Sequence, residues 1–368
     1  MSGPVIALAA GGTGGHIFPA EALARALLAR GCRVLLLTDR RGQGCANLPD
    51  IEVIHLAGNA VLSRSLLRKT LSSLALLRGA WQARSPLKAA DAKAVVGFGG
   101  FASVPPSLAA TSLGLPLILH EQNAVLGRAN RLLAGRATLL ATAFPNVRAS
   151  DPTKIKRIGN PVRPAVAALR ERPYPIPTAE GRLSLLVTGG SQGAKVFDNL
   201  VPDALAKLPE ALRQRLDLVQ QVRAADCAVL AKRYAALGIE ATLAPFFQDL
   251  PERLAAAQLL IGRAGASTIF ELAMAGRPGL LIPYPNAADD HQSANARAFA
   301  AGGGGWLIQE AALDAEAISD KLHDLFEAPE QLIEAAKRAR AFATPQATDD
   351  LAGLTLSVAG IAQAEKNI

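Results

Sequence analysis

Short apolar runs of β-strand character alternate with helix-like stretches along this chain, and the alternation begins twice. The strand-like runs of the first series are residues 5–10, 34–38, 52–56, 94–97, 117–120 and 139–142. Those of the second series are residues 183–188, 217–221, 241–245, 259–261 and 279–283. Such alternation is typical of parallel sheets with helices on both faces. We therefore predict an α/β protein made of two Rossmann-like, doubly wound domains that face each other across a cleft.

A proline-dense segment separates the two series. Residues 160–177 contain five prolines, a composition that is typical of linkers. We place the first domain at residues 1–160 and the second at 161–344. We also expect a C-terminal helix, at about 345–368, that packs back on the first domain.

The composition of the chain excludes several classes of protein. Half of its 368 residues are hydrophobic and 19% are charged, which favours a large core over global disorder. The three cysteines (Cys32, Cys45 and Cys227) form no Cys-x-x-Cys unit, so we predict neither a disulfide framework nor a zinc site, and a reducing cytoplasm. We expect no signal peptide and no transmembrane helix, because no apolar run reaches about 18–20 residues.

The net charge of +8 suits nucleic acid, anionic lipid or anionic small molecules as partners. Proteins that bind nucleic acid usually combine basic clusters with aromatic side chains. Aromatic residues make up only 4% of this chain. We therefore predict no nucleic-acid partner.

Glycine-rich turns follow several of the predicted strands. The first is GGTGGH at 11–16, and others are GFGGFAS at 97–103 and GGSQG at 189–193. Glycine lets the backbone approach a ligand, and a helix that begins after the turn offers free N–H groups to an anion. The first turn is neither a G-x-G-x-x-G fingerprint, because Ile17 replaces the last glycine, nor a P-loop. It predicts an anion site or a plain βα turn, with the titratable side chain of His16 at its mouth.

Three polar segments have two interpretations each. The HEQN segment at 120–123 is either a solvated loop or part of an active site in which a buried Glu121 acts as a base. Thr268 and Glu271 have the spacing of a capping box, although Glu271 could instead bind a ribose diol. Asp289, Asp290 and His291 contain metal-ligand residue types, but adjacent side chains rarely converge on one ion, so we do not predict a metal site there.

Seven motifs in order resemble those of one known family. They are GGTGGH with Pro19, GFGGFAS, HEQN, GNPVR at 159–163, GGSQGA, GRAGASTIFE at 262–271 and HQSANA at 291–296. Together they are similar to glycosyltransferase family 28, in particular its bacterial enzymes that add N-acetylglucosamine to lipid I in peptidoglycan synthesis. The resemblance covers residues 11 to about 302. It implies the GT-B fold and the inverting transfer of N-acetylglucosamine from UDP-N-acetylglucosamine to the 4-hydroxyl of the muramoyl sugar of lipid I, giving lipid II.

The resemblance also implies a set of site residues. The second domain would bind most of the donor, and the first would bind the acceptor and the membrane. The donor-binding residues carried over are Thr13, Gly14, Gly15, Asn123, Arg163, Ser191, Phe247, Ala266, Ser267, Thr268, Ile269, Phe270, Glu271 and Gln292. Among these, Arg163 and Ser191 would hold the diphosphate, Glu271 the ribose and Gln292 the sugar hydroxyls. Phe247 would contact the uracil through its backbone, and His291 stands where some relatives have glutamine.

The chemistry of an inverting transferase requires a base for the acceptor hydroxyl and stabilisation of the departing UDP. The candidates for the base are His16 and Glu121, and we favour His16. Gly14, Gly15, Gly99 and Gly100 are the residues we expect to hold the acceptor diphosphate. Helix N-termini and Arg163 can stabilise the leaving group, so no cofactor is required, and a divalent metal is compatible with the sequence but not predicted.

Residues 64–84 are basic and apolar and contain no acid. On a helix, Leu67, Leu71, Leu74, Leu77 and Trp81 would form one stripe. The stripe is either an ordinary core-facing surface or a contact with anionic lipid. Because the implied acceptor is a polyprenyl lipid, we expect a peripheral protein at the cytoplasmic face of the membrane, on its anionic inner leaflet.

Two other enzyme classes are compatible with parts of the pattern. A nicotinamide oxidoreductase would use Asp39 at the end of the second strand, but the glycine spacing is wrong for it. A UDP-sugar epimerase of the same fold is a nearer alternative, and it would not need the basic apolar segment.

Overall fold

The computed structural model describes residues 3–11, 14–39, 51–56, 66–178, 180–190 and 194–362, with the backbone alone for Gly14 and 66–74. The chain divides into two compact units. The first is Met1–Arg163 together with Thr344–Ile368, and the second is Pro164–Ala343.

The first unit is built on a parallel sheet in the order β3-β2-β1-β4-β5-β6-β7. Its described strands are β1 (Val5–Ala9), β2 (Arg33–Thr38), β3 (Ile51–His55), β4 (Ala92–Gly97), β5 (Leu117–Glu121), β6 (Leu139–Thr142) and β7 (Ile155–Arg157). The helices that accompany them are α1 (Gly14–Leu28), α2 (Leu66–Ala89), α3 (Val104–Ser112) and α4 (Arg128–Leu133).

The second unit is built on a parallel sheet in the order β10-β9-β8-β11-β12-β13. Its described strands are β8 (Leu183–Thr188), β9 (Leu216–Gln221), β10 (Glu240–Ala244), β11 (Leu259–Gly262), β12 (Gly279–Leu281) and β13 (Gly305–Leu307). Its helices are α5 (Pro164–Ala167), α6 (Lys195–Lys207), α7 (Glu210–Arg213), α8 (Cys227–Ala236), α9 (Leu250–Ala256), α10 (Ala266–Ala275), α11 (His291–Ala301), α12 (Ala315–Glu327) and α13 (Pro329–Phe342).

The last described helix, α14 (Ala347–Val358), belongs to the first unit. It packs against α1, and its Leu351 and Leu356 join the buried core of that unit. Asp349 accepts a 2.5 Å hydrogen bond from Arg30 near the end of α1. This helix therefore completes the core of the unit in which the chain begins.

Burial explains why the strands were readable in the sequence. Every residue of β1, β5 and β11 is buried. A parallel sheet covered on both faces gives continuous apolar strands instead of alternating ones. The two Rossmann-like units predicted from that pattern are confirmed.

The strand order places four turns at the points where ligands bind in such sheets. In the first unit the order reverses at β1, where Ala9 lies beside Leu37 of β2 and Gly97 of β4. In the second it reverses at β8, which pairs with β9 and β11. Ligands bind outside the carboxyl ends of the strands at such reversals. The turns after β1 and β4, and those after β8 and β11, occupy these positions.

The structure differs from the sequence-based expectation in three places. Helix α1 begins at Gly14 and not at Pro19, so the last two glycines of the GGTGGH motif belong to the helix. The strands β7 and β13 were not predicted, and each has only three residues. The segment predicted as a linker is largely folded into the second unit, where Arg340 donates to the carbonyl of Arg170 and Arg277 to that of Pro173.

Candidate functional site

The ring of His16 lies at the carboxyl ends of β1 and β4, where the strand order of the first sheet reverses. His16 is the third residue of α1, and its Nδ1 lies 2.8 Å from the carbonyl oxygen of Phe98, which follows β4. Gly99 and Gly100 continue that turn with φ values of +84° and +70°. A Cβ at these positions would lie 3.4 Å and 3.2 Å from atoms of the His16 ring. Both glycines are therefore required by backbone conformation and by the close approach to His16.

Glu121 ends β5 beside this turn, and its carboxylate accepts four hydrogen bonds. Oε1 accepts from the backbone N–H and the side-chain amide of Asn123, at 3.0 Å and 3.2 Å. Oε2 accepts from the backbone N–H of Gly127 at 2.8 Å and from Asn130 at 2.9 Å. Burial raises the pKa of Glu121, and these donors oppose that rise because they favour the charged form. The carboxylate thus ties the end of β5 to residues 123–127 and to α4.

Gln122 is a neighbour of His16 that the sequence reasoning missed. Its side-chain amide lies 3.0 Å from Nδ1 of His16. Asn130 was also missed, although it donates to both Glu121 and the carbonyl of His120. The HEQN motif contained the signal for Gln122, but the partner of its side chain lies 106 residues away in the sequence. The structure therefore brings His16, the 99–100 turn and HEQN together in one unit.

His120 is a fully buried histidine behind this cluster. Its Nε2 lies 3.2 Å from the carbonyl oxygen of Gly159, and its ring is 5.6 Å from that of Phe98. Desolvation lowers the pKa of His120 to about 4, and the nearby His16 contributes to the lowering. The folded protein therefore holds His120 neutral.

We expect this buried histidine to make the fold sensitive to acid. The unfolded chain binds a proton at His120 below about pH 6.5 and the folded chain only near pH 4, so stability is lost as the pH falls through this window. The loss should reach about 3 kcal/mol at pH 4. Urea unfolding at pH 7, 5.5 and 4.5 measures this loss of stability. His120→Gln should lose less stability over this pH range than the wild type. The control is the same substitution at the exposed His323. If His120→Gln and the wild type lose equal stability in acid, the expectation is contradicted.

The other predicted site residues of the first unit lie at or near the N-terminal end of α1 or beside Glu121, apart from one that is not described. Thr13 lies outside the described residues, while Gly14 and Gly15 form the first turn of α1. The side-chain amide of Asn123 donates a hydrogen bond to Oε1 of Glu121. The guanidinium of Arg163 lies over the ring of Phe18 on α1, 4.4 Å from the ring centroid. Arg163 therefore sits beside the helix that carries His16.

In the second unit, the capping-box interpretation of Thr268 and Glu271 is wrong. Helix α10 begins at Ala266 with Gly265 as its N-cap, and no side chain caps it. Thr268 is therefore the third residue of the helix, and Glu271 the sixth. Ala266, Ile269 and Phe270 are buried, whereas the hydroxyl of Ser267 is buried without a hydrogen-bond partner. Ser191 lies outside the described residues.

Gln292 joins two turns of the second unit. Its Oε1 accepts from the backbone N–H groups of Ala264 and Tyr284, at 3.2 Å and 2.9 Å. These residues follow β11 and β12, so Gln292 fixes the carboxyl ends of two neighbouring strands. Since its oxygen is used in this way, its NH₂ group is the part that can donate to a ligand.

Phe247 and the 289–291 segment are the remaining predicted features of the second unit. Phe247 is buried and its ring lies under the guanidinium of Arg253, so only its backbone is suited to contact a ligand. Asp289 and Asp290 have positive φ values, and Nδ1 of His291 contacts the carbonyl of Ala288 at 2.8 Å. Within the described residues, no three His, Cys, Asp or Glu side chains are grouped to hold a metal ion.

Helix α2 presents an exposed apolar surface. Ala83 and Leu87 are buried, and α2 packs against α3. Trp81 is 75% exposed and Leu77 is 63% exposed, so the core-facing interpretation is wrong for Trp81. The side chains of Leu67, Leu71 and Leu74 lie outside the described part of the chain. Among the described helices, none combines the length and apolar character needed to cross a bilayer.

Two family models match the chain. Residues 6–142 match the glycosyltransferase family 28 N-terminal domain, and residues 184–351 match the C-terminal domain of the same family. The UDP-N-acetylglucosamine–N-acetylmuramyl-(pentapeptide) pyrophosphoryl-undecaprenol N-acetylglucosamine transferase of Rhodospirillum centenum is 53% identical over 98% of this chain and 96% of its own.

Solved structures agree with these matches. The crystal structure of MurG from Acinetobacter baumannii has a TM-score of 0.80 and 30% identity, and the match covers 96% of this chain and 99% of that one. A putative UDP-N-acetylglucosamine 2-epimerase from Listeria monocytogenes has a TM-score of 0.64 at 15% identity, with 99% of each chain covered, and shares the fold alone. The GT-B fold and the family resemblance predicted from the motifs are both confirmed. The chain belongs to glycosyltransferase family 28.

Proposed function

We propose that this chain transfers N-acetylglucosamine from UDP-N-acetylglucosamine to the 4-hydroxyl of the muramoyl sugar of lipid I, with inversion at the anomeric carbon, giving lipid II. The observation that carries the proposal is the 53% identity, over nearly the whole of both chains, to a transferase named for this reaction. The chain is thus a hexosyltransferase of peptidoglycan synthesis.

We assign the acceptor to the first unit. Gly99 and Gly100 place backbone beside the N-terminus of α1, where Gly14 and Gly15 form the first turn. A helix N-terminus attracts anions through its free N–H groups and its partial positive charge. A diphosphate bound there would bring the attached sugar next to His16.

We assign the proton transfer to His16. The contact of Nδ1 with the Phe98 carbonyl places the proton on Nδ1 and the lone pair on Nε2. Nε2 accepts the proton of the 4-hydroxyl while that oxygen forms its bond to C1 of the donor sugar. The bond between C1 and the diphosphate oxygen breaks at the same time, and UDP leaves with the electron pair.

We assign the donor mainly to the second unit. Ala266 to Glu271 begin α10 at the carboxyl end of β11, with Glu271 for the ribose and Ser267 offering an unpartnered hydroxyl. The NH₂ group of Gln292 is available for the sugar hydroxyls, and the backbone of Phe247 for the uracil. Arg163, Ser191, Thr13 and Asn123 complete the proposed set. The leaving diphosphate is stabilised by helix N-termini and by Arg163, without a metal.

The transfer assay uses radiolabelled UDP-N-acetylglucosamine with and without a lipid I analogue. The proposal predicts that label enters the lipid fraction, and that UDP is released in equal amount, only when the acceptor is present. Release of N-acetylmannosamine without acceptor would instead identify a 2-epimerase. No labelled lipid at any acceptor concentration would contradict the proposal.

We also propose that α2 binds the anionic inner leaflet on the cytoplasmic face of the membrane. Trp81 and Leu77 are exposed beside Arg78, which is also exposed. Apolar side chains rimmed by basic ones bind anionic interfaces. This contact would place the first unit at the surface where a polyprenyl acceptor lies.

Replacing Trp81 by glutamate should weaken membrane binding about tenfold or more, because burying a large apolar side chain in the interface is worth roughly 1.5–3 kcal/mol. Flotation with vesicles that contain phosphatidylglycerol measures it. Val229→Glu is the matched control, since Val229 is 67% exposed on α8 of the second unit. Equal flotation of Trp81→Glu and wild type would exclude this contact.

A further inference from the structure

The side chain of Gln122 is buried against the ring of His16, where it bears on which ring nitrogen carries the proton. Its side chain is 6% exposed. Its Nε2 lies 3.0 Å from Nδ1 of His16, and its Oε1 is buried without a hydrogen-bond partner. The same Nδ1 lies 2.8 Å from the carbonyl oxygen of Phe98. Two protein groups therefore converge on one ring nitrogen.

The Phe98 carbonyl decides which atom carries the proton. A carbonyl oxygen only accepts, so a 2.8 Å contact with it requires a proton on Nδ1. An N–H of Gln122 cannot donate to an atom that is already a donor. Oxygen and nitrogen of a glutamine amide have almost the same shape, and the hydrogen-bond network assigns them. We therefore place the oxygen of Gln122 at Nδ1, where it shares the proton with Phe98.

The backbone on either side of Gln122 is fixed. Glu121 accepts four hydrogen bonds from Asn123, Gly127 and Asn130, and Asn130 also donates to the carbonyl of His120. Removing any of these leaves a buried or half-buried donor unpaired, which is costly. The side chain of Gln122 thus projects from a backbone that cannot easily turn away from His16.

We propose that Gln122 is a positioning residue for His16. Together with the Phe98 carbonyl it holds the proton on Nδ1, and so keeps the lone pair on Nε2 toward the acceptor. Glu121 acts through Gln122 by anchoring the backbone of HEQN. This inference rests on the proposed role of His16 as proton acceptor.

Several ionisable groups surround His16 and bear on its titration. His120 lies behind Phe98 and is held neutral. Glu121 directly precedes Gln122. The carboxylate of Asp39 lies beside Gly11, whose carbonyl oxygen is close to Gly100 in space. The guanidinium of Arg163 lies over the ring of Phe18 on α1. Gln122 and the carbonyl of Phe98 are the groups placed at Nδ1 itself.

The proton position is measured directly by long-range ¹H–¹⁵N correlation spectra of protein labelled with ¹⁵N-histidine. The chain has five histidines, and the spectrum of His16→Gln identifies the signals of His16. We expect the Nδ1–H form in the wild type at pH 8, and a shift toward a mixture of both forms in Gln122→Met. An Nε2–H form in the wild type, or no change in Gln122→Met, would overturn the proposal.

Turnover gives a second readout that a purely structural role would not move. Gln122→Met should lower kcat about tenfold, less than the loss expected for His16 itself, and leave KM for UDP-N-acetylglucosamine unchanged. Gln122→Glu places a carboxylate at Nδ1–H and stabilises the imidazolium, so the acid limb of kcat should move up by about one pH unit or more. At high pH this variant should recover turnover relative to Gln122→Met.

Gln258→Met is the matched control, because Gln258 is also buried, at 7% exposure, but precedes β11 at the opposite end of its sheet. Its pH profile should be that of the wild type. If His16→Ala is inactive while both Gln122 variants keep the wild-type pH profile and proton position, the inference alone is overturned. If His16→Ala retains turnover, His16 is not the proton acceptor, and the proposed role of Gln122 is then rejected as well.

Discussion

Replacing His16 by alanine should lower kcat by roughly 10²–10⁴-fold, the usual contribution of a general base. The reason is geometric: the Phe98 carbonyl holds the proton on Nδ1, so Nε2 is the ring nitrogen with a lone pair. The ring also fills the space against Gly99 and Gly100. Steady-state release of UDP in the presence of a lipid I analogue measures the effect.

Two comparisons make this result specific to proton transfer. His16→Gln keeps a polar side chain of similar length but has no basic nitrogen, and it should be nearly as inactive as His16→Ala. His323→Ala, at an exposed position on α12, should keep wild-type kcat. Turnover within threefold of wild type in His16→Ala would remove His16 as the base.

Replacing Glu121 by alanine should destabilise the first unit by at least about 1–3 kcal/mol. The change strips four hydrogen bonds from half-buried donors at Asn123 and Gly127 and from the buried Asn130. Leaving buried donors unsatisfied costs more than the bonds themselves contribute. Hydrogen–deuterium exchange of the peptide that contains β5, together with urea unfolding, measures the loss.

Glu334→Ala is the control for removing a carboxylate, because Glu334 pairs with Arg338 on the exposed face of α13. Surface pairs of this kind contribute at most about 1 kcal/mol. We expect Glu121→Ala to lose activity because the HEQN backbone is no longer anchored. A variant that keeps full stability but loses kcat would instead make Glu121 the proton acceptor.

Much of the fold could be predicted because both sheets are parallel and buried. Their strands are continuous apolar runs, and β6, β8 and most of β5 were found at or near their observed limits. The strands β7 and β13 were missed because three residues carry too little pattern. The extent of α1 was missed because proline is typical of the first position of a helix, whereas Pro19 is the sixth residue of α1.

The site was only partly readable for a different reason. The motifs identified the turns after β1, β4, β5 and β11, because ligand-binding turns recur at the carboxyl ends of parallel strands. They did not show that Gln122 reaches His16, since that contact joins distant parts of the chain. Nor did the spacing of Thr268 and Glu271 reveal that the N-cap of α10 lies three residues before Thr268, at Gly265.

The structure of the transfer product shows whether the enzyme joins N-acetylglucosamine to lipid I with inversion. The enzyme is incubated with UDP-N-acetylglucosamine and a lipid I analogue, and the lipid product is analysed by mass spectrometry and by the anomeric proton coupling in its NMR spectrum. We predict an added mass of one N-acetylhexosamine, joined to the muramoyl 4-hydroxyl in the β configuration. An α-linked product, a different site of attachment, or conversion of the nucleotide sugar without any lipid product would rule out the proposed transfer.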